Sequence, residues 1–141
     1  MAGTSKGHGS ALGFRTHSGW ACAVLAAGRG DKVEILDRRH IVLHDPEAGG
    51  TKQPFHAAEP MPFAGAESHL ALCREASGRL AHTAVMSLRA VSERHGLPLS
   101  GICVIAASGR LLPDLRKILS SHALIHAAEG EFYRDALIGA A

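Results

Sequence analysis

The sequence predicts an α/β domain with a mixed sheet, an antiparallel hairpin followed by parallel strand–helix units. Three observations carry that prediction. Apolar and β-branched runs fill the first third of the chain. A long segment of three- and four-residue apolar periodicity occupies its middle. A second apolar run without polar alternation follows that segment. With 141 residues, 46% of them hydrophobic, the chain can bury one core and does not have the composition of a disordered protein. Residues 1–10 read as a flexible tail and 11–141 as one domain.

The elements follow in order. Ala11 to Ala27 reads as a buried central strand, interrupted by the polar group Arg15-Thr16-His17-Ser18-Gly19. Gly28-Arg29-Gly30-Asp31-Lys32 is a hairpin turn, and Val33 to Leu43 returns antiparallel, as one strand or as two broken near Asp37-Arg38. His44 to Ala66 carries Pro46, Pro54, Pro60 and Pro62, which argue against a regular helix or a central strand. A loop of that length in a compact domain is uncommon and is usually functional or mobile. Glu67 to His95 is the clearest helix, with Leu70, Cys73, Leu80, Ala84, Leu88 and Val91 on one stripe and Gly96 as its stop. Ile102 to Ala107 reads as a parallel strand buried on both faces. Pro113 and Asp114 open a short helix through Leu119. His122 to Ala127 is expected to be a third core strand, and Glu129 to Ile138 a terminal helix.

Composition narrows the function classes. A net charge of +2 without any five-residue basic block gives no electrostatic case for nucleic acid. The longest strictly apolar stretch, Ala21 to Ala27, falls far short of the ~18 residues of a membrane span, and the first ten residues hold no apolar leader segment. Cys22, Cys73 and Cys103 sit in apolar runs without a CxxC spacing, as buried reduced thiols of a cytoplasmic protein would.

The element order, together with Gly13-Phe-Arg-Thr-His-Ser-Gly-Trp-Ala, resembles the ribonuclease H-like fold. That stretch is similar to the opening strand of its Holliday-junction resolvase branch, roughly Gly-Ile-Asp-Pro-Gly, a short variable stretch, then Gly-Trp. The resemblance implies a mixed sheet flanked by helices and a site of metal-binding carboxylates. The sequence departs from it where it matters. The first-strand aspartate is matched by Arg15, and the acid expected after the second apolar run is missing from Ala106-Ala107-Ser108-Gly109-Arg110. Hydrolysis with two metals needs carboxylates converging on cations ~3.5–4 Å apart, and a guanidinium cannot stand in for one.

Two sets of candidate residues follow. Glu129, Glu131 and Asp135 form the remaining acid cluster, in the segment where ribonuclease H-like enzymes supply their last carboxylate; the competing reading pairs Glu131 with Arg134 on a solvated face. Arg15, Thr16, Ser18, Ser108 and Arg110 could bind an anion at the mouth of the sheet; the competing reading pairs Arg15 with Glu129 or Glu131. The ten histidines carry no HExxH and no Cys/His pairing, so no metal site is assigned, although His122 and His126 lie close to Glu129 in sequence. Trp20 reads as packing.

The expected function is a non-catalytic, diverged ribonuclease H-like domain that binds an anionic ligand or a partner protein without a cofactor. The alternative is a divalent-metal nuclease acting on nucleic acid, with Mg²⁺ held by Glu129, Glu131 and Asp135 and with Asp37 or Asp45 recruited. A homo-oligomeric structural protein is the third expectation.

Overall fold

The computed structural model describes residues 9–105, 109 and 111–141. Expectations at Ala106, Ala107, Ser108, Arg110 and most of the tail lie outside the described residues. The elements are β1 (Ser10–His17), β2 (Trp20–Arg29), β3 (Lys32–Val42), α1 (Pro54–Ala58), α2 (Phe63–Arg94), β4 (Leu99–Val104), α3 (Leu115–Leu119) and α4 (His122–Ala140). They form an α/β fold around a four-stranded mixed sheet of order β3-β2-β1-β4, with β1 parallel to β4 and antiparallel to β2.

The expected first strand is two strands. Its polar interruption is the hairpin turn: His17 pairs with Trp20, and Gly19 takes φ 81° between them. A side chain at Gly19 would also meet the ring of His44, so glycine serves both the turn and the close approach. The turn sets the register that follows. Leu12, Phe14, Ala21, Ala23 and Leu25 fall on one face and join the core, while Ala11, Arg15, Cys22 and Val24 fall on the other. β3 is one strand with a register shift opposite Leu25 and Ala26, not two strands. Its outer-face residues Val33 and Ile35 are 75% and 56% exposed.

α2 and α4 pack on the inner face through Leu70, Val85, Leu88, Ile125 and Phe132. α2 begins four residues earlier than expected because Pro62 stands at its N-cap, where the missing N–H costs nothing. It ends at a hydrogen-bonded stop: Gly96 N–H donates to the Glu93 carbonyl, Leu97 N–H to that of Ser92, and Gly96 has φ 68°. Pro54 likewise opens the single turn of α1 inside the stretch expected to exclude helix. Asp114 caps α3 by accepting from Lys117 N–H at 3.0 Å.

Three further expectations are corrected. β4 pairs Gly101 with Ala11 and Cys103 with Gly13 on the outer face of the sheet, away from the core, so Gly101, Cys103 and Ile105 are exposed and the strand is not covered on both faces. Of the three thiols only Cys73 is buried. The segment 122–127 is the first part of α4. Ile125, Ala128, Phe132 and, four residues apart, Tyr133 and Leu137 recur along α4 at helical spacing, and burying that stripe outweighs the strand-like look of Ala-Leu-Ile. Among the described residues no helix is long and apolar enough to cross a membrane.

Candidate functional site

The helical form of 122–140 decides which polar side chains meet. On a strand His122 and His126 share a face at period two, whereas on a helix they stand one turn apart and Glu129 extends the same face at i+7. Glu129 is only 8% exposed. Its Oε1 accepts three hydrogen bonds, from Phe55 N–H at 2.8 Å, His56 N–H at 3.0 Å and His56 Nδ1 at 3.1 Å. The backbone donors are first-turn groups of α1, which have no partner inside that helix. Gln53, at the N-cap, makes no side-chain cap. A carboxylate from α4 therefore caps α1, and this fixes His56 beside the other two histidines.

The three imidazoles pack edge to face, with ring centroids 4.8 Å apart for His56 and His126, 5.6 Å for His56 and His122, and 4.5 Å for His122 and His126. One ring nitrogen from each lies within 4.8 Å of the other two. Nε2 of His122 and Nε2 of His126 are 3.0 Å apart. Against the carboxylate of Glu129, Nδ1 of His56 is the protonated nitrogen, which leaves the lone pair of that ring on Nε2. Glu129 Oε2 is buried and has no hydrogen-bond partner among the described residues. The charge of Glu129 is felt further off. Burial first and Glu129 second push the Tyr133 hydroxyl and the Cys73 thiol above their ordinary ranges. The Tyr133 hydroxyl donates to the carbonyls of Thr51 and Lys52, tying the chain before α1 to α4.

A cavity of about 300 Å³ opens onto this group, lined by Thr16, His17, Ser18, Gln53, His56, His126, Glu129 and Gly130. The structure thus joins Thr16 and Ser18 of the expected anion site to Glu129 of the expected acid cluster. Arg15 does not join them: it is exposed, and it pairs in register with Cys22 on the other face of β1. Glu131 and Asp135 line a separate cavity of about 620 Å³ with Arg74, Leu70, Ile118 and Phe132. There Glu131 is bonded to Arg134 at 2.9 Å, and burial, then the neighbouring Glu131, raises the Asp135 carboxyl above its usual range. Asp37 is held by Arg39, whose hydrogen bond keeps its carboxyl below the usual range, and Asp45 accepts from Glu47 N–H. Ser108 and Arg110 lie outside the described residues. Trp20 is stacked between His17 and His40, with centroids 4.1 and 4.5 Å away.

Sequence reasoning missed His56, His122 and His126 as a group. The available signal was His122-x₃-His126-x₂-Glu129 under a helical reading of the segment. Nothing local pointed to His56, which reaches the site only through the contact of α1 with α4. Comparison with protein-family models, with curated proteins and with solved structures gives no match for this chain.

Proposed function

We propose that this chain is a ribonuclease H-like binding domain whose site, at the end of β1, takes a small oxyanion such as a phosphate group. One observation carries the reading. The 300 Å³ cavity gathers the hydroxyls of Thr16 and Ser18, the amide of Gln53 and the imidazoles of His17, His56 and His126, and its one acid already accepts three hydrogen bonds. Donors that converge in a concave site match the acceptor oxygens of an oxyanion. The strand order β3-β2-β1-β4 and a last helix beside the end of the first strand support the ribonuclease H-like assignment.

The test is thermal unfolding of the protein as purified, in increasing inorganic phosphate. A ligand at one hundred times its dissociation constant stabilises the folded state by about 2.7 kcal/mol. Phosphate should raise the midpoint, and Thr16→Val with Ser18→Ala should abolish the rise. An equal rise in the double variant would sink the proposal.

The second reading is a divalent-metal nuclease, favoured by Glu129, a carboxylate of the last helix that lines the same cavity as Thr16. Cleavage of a fluorescent oligonucleotide in Mg²⁺ or Mn²⁺, lost in Glu129→Gln, would replace the binding reading with this one.

A further inference from the structure

We infer that His56, His122 and His126 form a binding site for a divalent transition-metal ion of the zinc class, with Glu129 as the carboxylate behind His56. The inference deepens the oxyanion reading, and its anion half rests on that reading: the ion is what the anion would meet. Four features of the site converge on it.

Nitrogen ligands about 2.0–2.1 Å from one tetrahedral ion stand roughly 3.3 Å apart. The separation between His122 and His126 is already 3.0 Å, and the third nitrogen lies within 4.8 Å of both.

The proton balance points the same way. Two imidazoles that face each other through Nε2 need one proton between them, because two lone pairs repel. A metal bound by both nitrogens takes the place of that proton. His56 is prepared in the complementary sense. Its Nδ1–H donates to Glu129, the arrangement that orients metal-binding histidines and raises the basicity of the other nitrogen.

Charge supplies an independent observation. Glu129 lines the cavity, is more than nine-tenths buried, and keeps Oε2 without a partner among the described residues. A buried carboxylate oxygen with no partner is costly. One dication on the three nitrogens, linked to the carboxylate through the His56 ring, offsets its charge and still leaves net positive charge for an oxyanion at its remaining position.

The ligand set selects the metal. Three imidazoles favour Zn²⁺, Co²⁺ or Ni²⁺ over Mg²⁺, which takes oxygen ligands. Three protein ligands leave a tetrahedral ion one open position, and the adjoining cavity with Thr16 and Ser18 is the room beside it.

The experiment uses untagged full-length protein, stripped with chelator and titrated with Zn²⁺ by calorimetry and with Co²⁺ by visible absorption. One equivalent should bind, with the intense ligand-field bands of tetrahedral Co²⁺. His122→Gln and His126→Gln, at exposed positions, should each weaken binding about tenfold or more. Glu129→Gln should weaken it about 10–100-fold. His82→Gln, on an exposed stretch of α2 away from the site, should change nothing. Absence of one-to-one binding, or binding that survives both α4 variants, overturns the inference.

Phosphate is then titrated into the metal-free and the Zn²⁺-loaded protein. Tighter phosphate binding to the loaded form supports both readings. Equal binding to both forms removes the anion half of this inference and leaves the oxyanion site standing. Zn²⁺ binding with no phosphate binding in either form removes the oxyanion reading and leaves the metal site.

Discussion

Two cavities flank α4, and they handle their acids in opposite ways. The larger has mostly apolar walls, from Leu70, Leu112, Ile118 and Phe132, and its Glu131 is paired with Arg134, while Asp135 feels the charges of Arg134 and Arg74. The smaller is mostly polar, and its single acid is buried with one oxygen fully used and the other without a partner. Counting carboxylates along the sequence favours the first cavity, with Glu131 and Asp135 one helical turn apart. Partnering and burial favour the second. An acid that already has its counter-ion has little left to offer a ligand, whereas a buried acid beside clustered imidazoles and with one oxygen unpartnered has a strong demand for charge.

Substitutions can break that comparison or sharpen it. The largest effect is expected from Phe132→Ala, because the ring is buried, lines the larger cavity and packs edge-on against Phe55 and Tyr133. Emptying it should cost about 3–5 kcal/mol in urea unfolding. Metal affinity per folded molecule should barely change if the two cavities are independent.

Glu129→Ala comes next. It leaves the amides of Phe55 and His56 without their acceptor, and charge-assisted hydrogen bonds of this kind carry about 1.5–3 kcal/mol. The loss should be read in metal-free protein by urea unfolding and compared with Glu129→Gln, which keeps an acceptor and should cost less. Glu131→Gln, by contrast, should cost less, about 1 kcal/mol, since glutamine keeps an acceptor oxygen for Arg134 in this half-buried pair. If Glu131→Gln proves as damaging as Glu129→Ala, the contrast between the cavities fails.

The smallest effect is one of pH. Burial and Glu131 raise the Asp135 carboxyl in the folded state. The folded chain therefore holds this proton more tightly than the unfolded chain does, and stability falls as pH rises from the unfolded value through the folded one. Asp135→Asn should give a small gain in midpoint at about pH 7 and none at about pH 3, followed by thermal unfolding across that range. Asp37 has the opposite sign. Its lowered carboxyl contributes stability above the unfolded value that is lost as pH falls through the folded one.

Much of the fold is legible in the residues themselves. The hairpin at Gly28–Lys32, the long helix stopped at Gly96, a strand after it and the capped turn at Asp114 all follow from local rules of turn, cap and periodicity. The errors share one cause. Ser18-Gly19 looks like a polar flaw in one strand because a two-residue turn is too short to break an apolar run. His122–Ala127 looks like a strand because its few apolar residues suit either period. In both places the choice is made by what packs against the segment.

The sequence by itself determines which residues can do chemistry here, and it sets the spacing of His122, His126 and Glu129 once the segment is helical. Tertiary structure decides the rest. It brings His56 from α1 to that face, since the caps of a one-turn helix have to come from somewhere and Glu129 supplies them. It also turns Arg15 away from Thr16, because neighbours on a strand face opposite sides of the sheet and only one of those sides meets α4.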